Sequence, residues 1–273
     1  METVASSDGT RIAFDRRGDG PPVVLVGGVF SDRRFPLMVE LASRLSSRFT
    51  VVNYDRRGRG DSGDGAGSSV ELEIEDLRSV VKAAGREVMV FGLSSGAVLA
   101  LRAAAAGVPM SRIAVYEPPF VVDGAGFVPP EDLGVRIADL LRRRQHGAAV
   151  KTYMKEAMGV PAALVNLMPV FPGWRRLKGL APTIAYDYAV MGGDFAGRPL
   201  QTADWRAVEA PTLVLSGQRS PVNLRHGAAA IAEALPAGQH LSLPGQNHMM
   251  KAEVVAPLVM RHFLSESFDA VHE

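Results

Sequence analysis

The hydrophobic pattern of the chain changes period in a regular way. Val23-Val24-Leu25-Val26 is an unbroken apolar run, as expected of a strand buried on both faces of a parallel sheet. Phe49–Tyr54, Glu87–Phe91, Arg112–Tyr116, Thr212–Ser216 and His240–Leu243 repeat that short, β-branched signature. Between them the spacing turns helical, over Leu37–Leu45, Val70–Ala84, Ala97–Ala106, Leu224–Leu235 and Ala252–Leu264. Ser68 and Glu71 predict a capping box for the helix at Val70, with Gly85 as its stop. The start predicts a hairpin, Thr3–Ser6 and Arg11–Phe14 around an Asp8-Gly9 turn. Strands alternating with helices imply a mostly parallel sheet with helices on both faces.

The alternation stops between about Phe120 and Arg206. Only helical patterns occur there, over Leu133–Gln145, Ala148–Met158 and Ala181–Met191, punctuated by Pro161, Pro169, Pro172 and Pro182. This reads as a helical insertion. The division is 1–120 and 207–273 as the α/β core and 121–206 as the insertion.

Composition adds mainly exclusions. A formal net charge of +1 offers no general attraction to nucleic acid or an anionic membrane. The arginine pairs and runs at 16–17, 33–34, 56–57, 142–144 and 175–176 are interleaved with acids and read as solvated faces. With no cysteine there can be no disulfide, zinc–thiolate site or cysteine nucleophile. The first residues lack an apolar signal region, and no uncharged run is long enough to span a bilayer, so a cytoplasmic location is expected.

The chemistry concentrates at Gly92-Leu93-Ser94-Ser95-Gly96. A strand running into a helix here sets Ser94 on a strained turn, and the flanking glycines avoid collisions with neighbouring backbone. The N–H of Ser95, at the helix N-terminus, is placed to bind an oxyanion. Such a serine needs a base. Of six histidines, His272 is in the tail, His146 in the insertion, and His226 and His262 on outer helices. His248 follows the last strand, in Pro244-Gly245-Gln246-Asn247-His248, on the sheet edge where the serine turn also opens. Gly58-Arg59-Gly60-Asp61-Ser62-Gly63 matches a dinucleotide-binding pattern, but no helix opens until Val70 and no acid follows at the usual distance. His240 and His248 have no third ligand spaced with them, so no metal site is read.

Taken together, the motifs make the chain resemble an α/β-hydrolase over nearly its whole length. Gly27-Gly28-Val29 resembles that family's oxyanion loop, with glycine where a histidine is usual. Asp55-x-Arg57-Gly58-x-Gly60-x-Ser62 resembles the turn after the next strand. The Ser-Ser-Gly-Ala, Tyr-Glu-Pro-Pro-Phe and Ser-Pro segments are also similar to those of a group of actinobacterial α/β-hydrolases, which implies no particular substrate. The resemblance implies an eight-stranded, mostly parallel sheet, a helical cap inserted after the sixth strand, and no cofactor. It further implies Val29 and Ser95 as oxyanion donors. One position departs from the pattern: Ser220 stands where the acid that orients the histidine is expected. Two candidates for that role remain. They are Ser220 itself, which brings no charge, and the better candidate Glu117, after the preceding core strand, where haloalkane dehalogenases among others carry their acid; the alternative for Glu117 is bracing the junction with the insertion.

The expected activity is hydrolysis of an ester, thioester or related acyl bond in a largely apolar small molecule. Ser94 attacks and His248 moves the proton. A lyase, cyclase or cofactor-free oxygenase on the same fold, and a non-catalytic ligand-binding module, are the alternatives. A small-molecule substrate is the expected partner, without nucleic acid or membrane, and a homodimer is compatible with the sequence. Met154, Met158, Phe171, Trp174, Tyr186, Tyr188 and Met191 either line an apolar pocket or form the insertion's own core.

Overall fold

The computed structural model describes residues 1–65 and 67–265, so His272 lies outside it. In chain order the elements are β1 (Glu2–Ala5), β2 (Arg11–Arg17), β3 (Pro22–Val26), α1 (Pro36–Leu45), β4 (Thr50–Tyr54) and α2 (Val70–Ala84). Next come β5 (Met89–Leu93), α3 (Ser95–Ala105) and β6 (Arg112–Tyr116), then α4 (Leu133–Arg142), α5 (His146–Glu156) and α6 (Ala162–Leu167). After these follow α7 (Trp174–Leu180), α8 (Ile184–Met191), β7 (Thr212–Gly217), α9 (Val222–Ala234), β8 (Gly238–Leu243) and α10 (Ala252–Phe263).

Eight strands form one sheet in the order β1-β2-β4-β3-β5-β6-β7-β8. The hairpin β1–β2 joins antiparallel at one edge and pairs antiparallel with β4. From β4 to β8 every pairing is parallel. Central strands are apolar on both faces because both faces are covered. Val24, Val26, Val90, Val115 and Val214 meet the side carrying α2, α3 and α9. Val23, Leu25, Phe91, Ala114 and Leu215 meet the side carrying α1 and α10. A third apolar cluster joins α4, α5 and α8 through Leu133, Ile137, Val150 and Ile184.

No strand interrupts residues 118–211. The proline-punctuated insertion is helical, and it contains α6 and α7 in addition to the three longer patterns. Two local expectations need correction. The cap of α2 is Ser69, whose Oγ accepts from Leu72 N–H at 3.2 Å. The helix starts at Val70, so the residue directly before it, one beyond Ser68, is in capping position. Strand β5 also runs on through Gly92 and Leu93, since Leu93 still pairs with Tyr116.

The reading of the arginines as solvated faces fails at three of them. Arg33, Arg56 and Arg57 are buried, as is Arg59. Each planar guanidinium meets carboxylates brought in by packed elements, which is what makes its burial tolerable. Arg57 pairs bidentately with Asp76 of α2, both bonds at 2.7 Å. Arg33 bonds Asp55, and Asp55 also accepts the Arg33 and Asp61 backbone N–H groups. The Gly58–Gly63 segment is therefore the loop wrapped around Asp55, with Arg59 turned inward.

Candidate active site

The carboxyl ends of the parallel strands converge, and every candidate residue follows one of them. Val29 comes after β3, Ser94 after β5, Glu117 after β6, Ser220 after β7 and His248 after β8. Loops leaving one edge of a parallel sheet face the same crevice.

Ser94 sits between β5 and α3 with φ 54° and ψ −124°, outside the regions that L-residues favour. Such a residue costs on the order of 1–3 kcal/mol unless its surroundings hold it. They do so from both sides. Ser94 N–H donates to Tyr116 O at 2.9 Å, and Ser94 O accepts from Ala97 N–H at 2.9 Å. The turn is tight enough to require both glycines. A methyl on Gly92 would stand 2.6 Å from Ala97 Cα, and one on Gly96 would stand 2.4 Å from Val26 O. Gly28 lies directly against the serine: a methyl there would be 3.0 Å from Ser94 Cβ.

His248 turns its Nδ1 to Glu117 Oε2 at 2.7 Å. The second oxygen of Glu117 accepts Ser220 Oγ–H at 2.5 Å and Gly217 N–H at 2.7 Å. Ser220 thus bonds the carboxyl rather than the imidazole. Donation from Nδ1–H to the carboxylate leaves Nε2 as the basic nitrogen of the neutral ring. Glu117 is fully buried and also holds a left-handed φ, 44°. The histidine loop is fixed by Tyr116 Oη–H, which donates to Asn247 O at 2.7 Å, and by Arg219 N–H on Gln246 O at 2.9 Å. The other described histidines with assigned contacts are occupied elsewhere. His226 meets Asp123, His240 meets Ser216 Oγ, and His262 meets Ile113 O.

Val29, Ser94 and His248 open onto one cavity of about 280 Å³. Its walls are mainly apolar, with Phe127, Met158, Phe195 and Leu224 among them, and Tyr153 and Asn223 supply the remaining polar groups. Among the described residues, no lysine or arginine lines it. Of the seven aromatic and methionine residues considered from the sequence, Met158 reaches this cavity. Met154, Trp174, Tyr188 and Met191 belong to the apolar cluster of the helical segment, and Phe171 is exposed. Tyr186 donates to Asp64.

Behind the serine turn lies a buried charge network that the motifs did not disclose. Arg56 pairs bidentately with Glu73 at 2.6 Å and bonds Asp187 Oδ1 at 2.7 Å. Arg59 bonds Asp187 Oδ2 at 2.6 Å, and Ser95 Oγ–H donates to Asp187 Oδ1 at 2.6 Å. All of these side chains are buried. Burial alone would raise the Asp187 pKa, but the Arg59 and Arg56 guanidinium groups and the Ser95 hydroxyl outweigh it and hold the carboxyl below its usual range. Two arginines face two carboxylates, so the network closes neutral. The sequence carries one signal of it: Asp187 is the sole charged residue in the otherwise apolar Ile184–Met191.

Comparison with known proteins agrees with the fold. The Alpha/beta hydrolase family matches residues 23–257 of the chain. An alpha/beta hydrolase from Sphaerobacter thermophilus has a structure similar at a TM-score of 0.88, with 45% identity, covering 96% of this chain and 100% of that one. The enol-lactonase from Burkholderia xenovorans shares the fold at a TM-score of 0.69 and 20% identity, covering 97% and 100% of the two chains. A hydrolase of Bacillus subtilis, YraK, is 37% identical over 99 residues; that match spans only 34% of this chain and 35% of the relative.

Proposed function

The chain belongs to the alpha/beta hydrolase family, and from that premise we propose that it is a serine hydrolase acting on an acyl bond of a small, largely apolar molecule. The observation that carries the reading is the Glu117–His248 contact at 2.7 Å beside the strained Ser94 turn. Glu117 holds Nδ1–H, which keeps Nε2 of His248 free to take the Ser94 proton as the oxygen attacks the acyl carbon. The oxyanion that forms is received by the N–H groups of Val29 and Ser95. Neither donates to another protein group among the described residues. Collapse of the tetrahedral intermediate expels the leaving group, which His248 protonates. Water, activated by the same nitrogen, then releases the acid.

In this reading residues 121–206 act as a cap over the site, which is supported by the contribution of Phe127, Tyr153, Met158 and Phe195 to the cavity wall. The wall chemistry favours an ester, thioester or lactone that is uncharged near the scissile bond, because no lysine or arginine among the described residues stands there to receive a carboxylate. Structural neighbours named as an esterase from Thermogutta terrifontis and as an enol-lactonase are compatible with acyl-bond chemistry on this fold. The lyase, cyclase or oxygenase alternative would be favoured by a histidine oriented by a hydroxyl alone, which lacks the charge to stabilise imidazolium. The carboxyl on Nδ1 favours the hydrolytic reading.

The test is direct. A fluorophosphonate is expected to label Ser94 stoichiometrically, with the adduct located by peptide mass spectrometry. Ser94→Ala should remain folded, lose labelling, and lower the turnover of short-chain p-nitrophenyl esters by orders of magnitude. Labelling at a different serine, or a folded wild-type protein that neither labels nor turns over esters, would overturn the proposal.

A further inference from the structure

The buried network contacts both strands of the oxyanion machinery, although none of its charged side chains reaches the cavity. Arg59 Nη1 donates to Gly28 O at 2.6 Å and to Ser31 O at 3.1 Å, while Arg56 Nη1 donates to Gly27 O at 3.3 Å. The peptide joining Gly28 to Val29 is planar and trans, so its C=O and N–H point in opposite directions. A guanidinium that draws Gly28 O inward therefore turns Val29 N–H outward, toward Ser94 and the cavity. On the second side, Ser95 is the first residue of α3, and its Oγ is bound to Asp187 Oδ1 at 2.6 Å. The same carboxylate holds Arg59 through Oδ2.

We infer that Asp187 is a positioning residue for oxyanion stabilisation, fixing Val29 N–H through Arg59 and the Gly28 peptide, and Ser95 N–H through the Ser95 hydroxyl. The inference rests on the hydrolase reading for its catalytic consequence, while its geometric content stands apart from any substrate. It also links two parts of the chain. Asp187 comes from α8, in the inserted helical segment, so this segment contributes a charge to the order of the catalytic backbone as well as a wall to the cavity. A preorganised pair of N–H groups stabilises the transition state without having to reorient during the reaction, which is the source of its catalytic effect. The effect should therefore fall on kcat more than on KM.

Two variants test this. In Asp187→Asn the amide can still accept from Ser95 or Arg56, but its NH₂ then opposes the Arg59 donor, so Arg59 must let go of Asp187. Ser95→Ala is the milder change, keeping every charge in place and cutting only the link to the serine turn. For Asp187→Asn we expect kcat per titratable Ser94 to fall about 10²-fold, the scale of losing one oxyanion donor, with KM changed less than about 3-fold. Affinity for an aryl trifluoromethyl ketone, whose hemiketal oxyanion occupies the same place, should fall by a similar factor. Ser95→Ala should show the same pattern at about 10-fold. Crystal structures of the variants should show the Gly28–Val29 peptide rotated in Asp187→Asn and the first turn of α3 shifted in Ser95→Ala. A purely structural role would lower the melting temperature and the yield, leaving kcat per active site and ketone affinity unchanged. That result, or variant structures with both N–H groups in their wild-type orientation, overturns the inference. If Asp187→Asn does not fold, Ser95→Ala decides. If the wild-type protein lacks acyl chemistry altogether, the hydrolase reading fails separately and the variant structures still decide the geometry.

Discussion

Glu117 leaves β6 in a left-handed backbone conformation, and both oxygens of its carboxyl are engaged. One orients His248, and the other is saturated by Ser220 and the backbone of Gly217. Replacing it with glutamine keeps the shape but offers NH₂ or a neutral oxygen to the imidazole. Glu117→Gln is therefore expected to reduce kcat for a p-nitrophenyl ester by up to about 10⁴-fold, the loss known when a triad acid becomes an amide. Ser220→Ala removes one of three bonds to a carboxyl that stays in place, and steady-state kinetics should show a loss of about 10-fold or less. A severe Ser220→Ala with a silent Glu117→Gln would reverse these roles. Ser94 and His248 were legible in the sequence because their signals are local, a glycine-flanked turn and a loop after the last strand. The contact that separates Glu117 from Ser220 was not, since it joins Glu117 to His248, positions 131 residues apart. Asp187 was hidden for the same reason. Its partners Arg56 and Arg59 stand 131 and 128 residues earlier, and nothing in their neighbourhood distinguishes a buried arginine from a solvated one.

At the scale of elements, the crossing of β5, α3 and β3 leaves no space for a side chain at the serine turn. A methyl at Gly96 would meet the backbone oxygens of Val26 and Gly27 at 2.4 and 2.6 Å. Backbone cannot step aside as a flexible side chain can. Gly96→Ala should therefore cost about 3 kcal/mol or more, the upper range of overpacking. In a chain of this size that is a fall of roughly 6–12 °C in Tm by differential scanning calorimetry. A Tm within 2 °C of wild type would show that the turn is looser than its geometry implies. Helix α2 anchors the same region through Glu73. Glu73→Gln strands the Arg56 charge against a single remaining carboxylate and should destabilise by about 3–5 kcal/mol, as breaking a buried pair does. These helices and strands were readable from hydrophobic period alone, and the errors were confined to their ends. Ser69 caps α2 where Ser68 was expected, and β5 runs two residues further than its pattern, because hydrogen-bond partners rather than periodicity set those limits.

Over the whole molecule, the acid limit of stability and the choice of substrate follow from groups already placed. His262 is buried on α10, donates from Nε2 to Ile113 O, and has its pKa held below the ordinary 6.5, first by burial and then by the nearby Arg112 charge. The unfolded chain thus takes up this proton at higher pH than the folded one. Its contribution is complete above about pH 6.5 and is lost as pH falls through the lowered folded value. Tm should be level near pH 7–8 and decline below about 6.5, with a shallower decline in a folded His262→Gln variant. An equal slope in that variant would assign the decline to other groups. The uncharged cavity wall predicts that kcat/KM for a neutral ester exceeds that for its carboxylate-bearing analogue by at least about 10-fold, since an unpaired charge would lose hydration without compensation. The long reach of Asp187 bears as well on how the protein is made. Until α8 docks, Arg59 and the Ser95 hydroxyl lack the carboxylate they share, so a nascent chain can complete its first six strands while the Gly28 peptide and the start of α3 still lack their link to Asp187. Catalytic competence then becomes one of the last properties to emerge during maturation. On dilution from denaturant, ester turnover should recover later than the far-ultraviolet circular dichroism of the sheet and helices, and simultaneous recovery would refute this order of assembly.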